Sequence, residues 1–161
     1  MSELDATVRE LGLKMLQAIS SLRGELAARF PATFGGIYNS GDSHNFVVMT
    51  VGDDTDLRVF VAVYLRGATT DDAAILAQLP TVSFRPTAQT LRSLLDLQSR
   101  IMGERDELRM HGIVIYGVGV RDDHNRVVVM AARMSDAQRQ ELERRFGANV
   151  EIQAVSPPMR T

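Results

Sequence analysis

This sequence predicts an α+β fold: an N-terminal helix, then two related antiparallel hairpin-helix-strand (ββαβ-like) units joined by a long helix. Three observations carry the expectation. Apolar residues recur at helical spacing near the start of the chain and again after residue 87. Short valine-rich runs broken by turn residues fill the stretches between. "DSHNFVVM" at 42–49 is partly repeated as "DDHNRVVV" at 122–129, an offset of 80 residues. With 161 residues, 45% of them hydrophobic, the chain is long enough for one domain or two very small ones.

Residues 1–30 make the N-terminal helix. Leu4, Val8, Leu11, Met15, Ile19, Leu22 and Leu26 fall three and four apart on one stripe, and Pro31 stops it. The stripe fits packing on the chain's own sheet. Leu4, Val8, Leu11, Met15 and Leu22 are also the candidates for a self-association seam that would make a homodimer. Four acidic and four basic residues cancel along this helix, which argues against a membrane-surface role.

The first unit is expected over 31–86. "GGIYN" and "FVVMTVG" flank the turn cluster "SGDSH" as a hairpin, and "DLRVFVAVYL" at 56–65, rich in β-branched and aromatic residues, reads as an inserted strand. "TTDDAAILAQL" opens with helix-capping residues and closes at Pro80; "TVSFR" is a strand cut by Pro86. A connector helix over 87–111 shows Leu91, Leu94, Leu95, Gln98, Ile101 and Met102 on its face, with Gly103 as a kink or end.

The second unit spans 112–155. "GIVIYGVGV" and "RVVVMAAR" flank the turn "RDDHN", Ser135 and Gln138 form a capping box, the helix 136–146 ends at Gly147, and "NVEIQAV" returns as a strand. Residues 156–161 leave as a tail kept extended by Pro157 and Pro158.

Composition excludes several chemistries. The chain has no cysteine, so disulfides and thiolate catalysis are ruled out. The net charge of −2, with Arg mixed among Asp and Glu, gives no nucleic-acid footprint. The start lacks a basic segment followed by an apolar one, and no membrane-spanning run follows, so a cytoplasmic location is expected. Gly41, Asp42 and Ser43 echo a serine nucleophile, but His44 and Asn45 stand where the oxyanion turn needs glycines. His44 and His124 each follow an aspartate, Asp42 and Asp122, by two residues. A copied turn explains that pattern without a metal, since no ligand spacing supports one. "GVGV" at 117–120 has no phosphate-loop completion, and His111 suits a helix terminus. A non-enzymatic protein without metal or cofactor is expected.

The second unit, with Asn before a triple-valine strand, a short capped helix ending in Phe146-Gly147 and a last strand leading to a tail, resembles the prodomain of alpha-lytic-protease and streptogrisin-type secreted serine proteases. "FGGIYNSGDSHNFVVMTV" and "RPTAQTLRSLLDLQSRI" are similar to the earlier half of such prodomains, so the resemblance covers roughly 34–155. It departs at Val118, Gly119 and Arg121, where the family carries an aromatic pair and an aspartate. The resemblance implies a protein partner, a serine protease, bound in trans because these 161 residues contain no protease domain. The segment it implies for partner binding is Glu151, Ile152, Gln153, Ala154 and Val155 as an added strand, with Ser156, Pro157, Pro158, Met159, Arg160 and Thr161 as a product-like tail. The alternative is a regulatory or scaffold module that self-associates or recruits a protein through its N-terminal helix.

Overall fold

The computed structural model describes residues 2–41 and 44–157. The chain divides into two compact units, Met1–Thr90 and Leu91–Thr161. Together they carry two three-stranded sheets, each with its own helices, and the α+β class follows.

In the first unit helix α1 covers Glu3–Arg29. Ser2 and Asp5 close a reciprocal capping box at its start, satisfying backbone N–H groups that have no partner inside the helix. Met15, Ile19, Leu22 and Leu26 are buried, and α1 packs on β1 (Phe34–Asn39) and on α2 (Thr55–Leu65). Two of the expected self-association residues are therefore already used. Met15 is 6% exposed and Leu22 fully buried within the chain, whereas Leu4 is exposed and Val8 and Leu11 are half-buried.

The expected strand at 56–65 is α2, a helix. Leu57, Val61 and Leu65, each four residues apart, are its buried face. Valines and aromatics surround that stripe, as Val59, Phe60, Val63 and Tyr64. The run therefore lacks the polar face that would have revealed a helical period. Packing decides it: Phe60 sits edge-on to Phe30, and Ser21 shares a hydrogen bond with Tyr64 across the two helices. A 3₁₀ turn at Arg66–Ala68 and a short α3 (Ala73–Leu76), capped by Asp72, lead to β3 (Thr81–Pro86). β1 pairs antiparallel with β2 (Asn45–Thr50), and β3 adds parallel to β2.

The second unit begins with the expected connector, which is not a separate link. It comprises α4 (Leu91–Gly103) and α5 (Arg105–Met110), broken next to Gly103, and α4 lies on β4 (Ile115–Arg121) and β5 (Arg126–Ala131). α6 (Asp136–Phe146) and β6 (Val150–Ala154) complete the unit, with β6 parallel to β5. Leu94, Ile101, Leu108, Ile113, Val127, Val129 and Leu142 belong to one buried cluster. Ser135 and Gln138 form the expected capping box. His111 ends α5, followed by Gly112 at φ 79°.

The two sheets repeat one plan, with strand orders β1-β2-β3 and β4-β5-β6. Each opening hairpin carries a bulge, at Phe34/Gly36 opposite Thr50 and Met49, and at Ile115/Gly117 opposite Ala131 and Met130. The equivalent positions lie 81 residues apart, not the 80 of the repeated letters. Phe46 corresponds to Val127 and Val47 to Val128. The counterpart of His44 is accordingly Asn125, and the two turn histidines are not equivalent. The left-handed position of the second turn falls on Asn125, φ 51°, a residue type that tolerates it.

A strand edge and an arginine cleft

Strand β6 forms one border of its sheet. The carbonyl of Asn149 accepts from the Val127 N–H at 2.9 Å, and the Val155 N–H donates to the Ala131 carbonyl at 2.9 Å. Alternate residues of a strand direct their backbone groups to the same side, so Glu151 and Gln153 also address β5. The N–H and C=O groups of Val150, Ile152 and Ala154 then point to the open side. In the first unit the same parity holds: Thr81 donates to the His44 carbonyl and Thr87 to that of Thr50. There the last outward position of β3 is Pro86, paired in register with Thr50, and Ala154 is its counterpart opposite Ala131. Proline has no N–H to offer, so the first unit's edge is blunted where the second unit's is not.

The expected partner-binding residues take distinct places on this strand. Val150 and Ile152 pack against the unit's core. Glu151 lies on the opposite face, where His124 Nδ1 donates to its Oε2 at 2.7 Å and Arg121 stands 4.0 Å from Oε1. The His124 hydrogen bond is the main cause holding the Glu151 carboxyl below its ordinary 4.5, with the nearby positive charges adding to it. Arg121 pairs with Asp123 at 2.7 Å and lowers that carboxyl too. Gln153 and Ala154 are exposed, Val155 extends the pairing, and Ser156 and Pro157 are exposed beyond it. Pro158, Met159, Arg160 and Thr161 lie outside the described residues, as do Asp42 and Ser43.

Beside β6 on the core side opens a cleft of about 420 Å³. Leu142, Val150 and Ile152 supply apolar lining, the Gly147–Ala148 turn lies at its border, and Arg139 and Glu143 contribute charge, while Arg126 borders it from a strand position that faces Glu151. The side chains of Arg126 and Arg139 make no hydrogen bond or ion pair among the described residues; that of Arg126 acts on Glu151 at longer range. Helix α6 is held in place by the opposite arrangement. Arg145, largely buried, is shared by Glu141 at 2.7 Å, Glu107 at 3.2 Å and Glu104 at 3.4 Å. Hydrogen bonds from Arg144 and Arg145 bring the Glu141 carboxyl down to about 2. Sequence reasoning missed Arg126, Arg139 and Glu143, because the cleft draws them from a strand start and a helix that are adjacent only after folding.

A second cleft, about 470 Å³, lies in the first unit between α1, α2 and β3, lined by Met15, Leu65, Leu76, Pro80 and Val82. Among the described residues no group of three or more His, Cys, Asp or Glu could hold a metal ion, and no helix is long and apolar enough to cross a membrane. Compared with protein-family models, curated proteins and solved structures, the chain matches none.

Proposed function

We propose that this chain is a non-enzymatic, prodomain-like protein that binds a partner protein in trans, as inhibitor or folding partner of a serine protease. The observation that carries the reading is the β6 edge, whose outward backbone groups at Val150, Ile152 and Ala154 are available to a partner's strand. Main-chain pairing of this kind gives affinity with little demand on side-chain identity. The tail leaves from the end of that strand, as a product-like segment would. Inhibition of a panel of bacterial trypsin-like and alpha-lytic-type proteases tests the role, comparing the intact chain with one ending at Val155. Inhibition that weakens at least about tenfold on truncation is expected if the tail occupies the cleft of the enzyme. An intact chain that is digested by every protease without inhibiting any would overturn the inhibitor role.

A second reading is favoured by the exposed start of α1. Leu4 is 42% exposed and lies on the same stripe as half-buried Val8 and Leu11, so this end of the helix can join a second copy or another helix. Met15 and Leu22 drop out of that seam because their own unit buries them.

A further inference from the structure

We infer that the β6 edge seats the β6 edge of a second copy of this chain, in a two-fold dimer where Ile152 faces its own counterpart. The inference rests on the β6-edge reading and names an occupant of that edge. In an antiparallel pair, residues whose backbone groups point across stand opposite one another, and in β6 these are Val150, Ile152 and Ala154. A two-fold axis through Ile152 pairs Val150 with Ala154 of the second copy. These side chains fall on the face where Val150 and Ile152 pack against the core. On the other face Glu151 stands opposite Gln153 of the second copy, at a position without backbone bonds, where side chains approach most closely. An axis through Glu151 would set that carboxylate against its own copy, and one through Gln153 would set Val150 against Ser156. The run from Val150 to Ala154 is thus complementary to itself in one register.

The charges of α6 follow the same axis. Glu141 and Arg145 occupy the flank of the helix turned to Glu104 and Glu107, and Arg145 is paired there. Arg139 and Glu143 occupy the flank at the β6 cleft. They stand four residues apart, in the less favourable order for a helix pair, and neither side chain has a partner among the described residues. Helix α6 joins β6 through residues 147–149 and runs back over it, with Leu142 lining the cleft beside both Val150 and Ile152. The axis through Ile152 therefore sets two α6 helices antiparallel, flank to flank, and carries Arg139 of each toward Glu143 of the other. Two opposite charges that are idle in one chain become two reciprocal pairs across the dimer. Helices side by side on a sheet need about 8–10 Å between axes, roughly two strand spacings, and the cleft leaves space on this flank.

The test uses the full chain. Sedimentation over a range of concentrations is expected to show a reversible dimer, with the amides of Val150, Ile152 and Ala154 gaining protection from exchange as it forms. Arg139→Glu and Glu143→Arg, both at exposed positions, are each expected to weaken self-association at least about tenfold, because each sets like charges across the axis. Mixing the two variants is expected to restore association, since one then carries only carboxylates at the two positions and the other only guanidinium groups; variants that had merely lost their fold would not recover on mixing. A dimer unmoved by either variant, or one that leaves the edge amides unprotected, is built on another surface and overturns the inference. A cyclised β-hairpin peptide whose docking strand alternates valine and threonine separates this inference from the edge reading. If the chain stays monomeric up to about 1 mM while the hairpin shifts the edge amides, the second copy is ruled out and the β6 edge stands. If neither happens, the edge reading and this inference fall together.

Discussion

Glu151 shows how one side chain couples the hairpin turn to the border strand. Its carboxylate accepts from His124, stands near Arg121 and Arg126, and has Asp123 as the neighbouring acid. A carboxyl whose folded pKa is depressed contributes stability above its unfolded value, and loses it as pH falls through the folded value. For Glu151 that contribution is present above about pH 4.5 and disappears below it. Thermal unfolding of the native chain and of Glu151→Gln is therefore expected to show a gap in Tm near pH 6 that closes as pH is lowered past 4. A gap that stays constant down to pH 3 would remove the pairing from the account. The residue scale is also where the sequence was least informative about the site. Glu151 was legible as part of a border strand, but the donor that holds it comes from a turn 27 positions earlier in the chain.

At the scale of elements, β6 makes a prediction that β3 has already tried. Pro86 occupies the outward position of the first sheet's border, and Ala154 occupies the same position in the second. Ala154→Pro removes one outward N–H and leaves the bonds to β5 intact, with Gln153 already in the extended conformation that a following proline prefers. Stability is expected to change by less than about 1 kcal/mol in chemical denaturation. Hairpin binding is expected to weaken about tenfold or more. Loss of folding would show that the Ala154 N–H serves the protein itself. Elements with polar punctuation were readable in advance: the Ser135/Gln138 cap and Gly147 bracket α6 as local chemistry requires. Residues 55–65 were not, because a segment apolar on nearly every side has no periodicity to read, and α1 and the sheet decide its conformation.

The whole molecule is two cores on one chain. Leu22 is fully buried in the first unit and Leu108 in the second. Leu22→Ala is expected to cost about 2–5 kcal/mol through lost burial and the cavity left behind. Hydrogen exchange should register that loss in the amides of β1, β2 and β3, with β4, β5 and β6 keeping their protection. Equal loss across both sheets would mean a single cooperative unit. The general architecture was legible from spacing and turns, including the two-unit plan. The boundary was not, since α4 reads as a link by its position in the sequence and proves to be part of the second core by its buried Leu94 and Ile101.

The bulges that set the two sheets 81 residues apart have a practical consequence for anyone who recombines the halves. A chimera cut at the matching letters would transplant Val47 onto the place of Val127, and every valine of the grafted strand would face the wrong side of its sheet. Cut one residue further along, the same strand keeps its apolar side inward. Exchange between these two halves is governed by where each ribbon kinks, and an alignment of letters alone would spoil it.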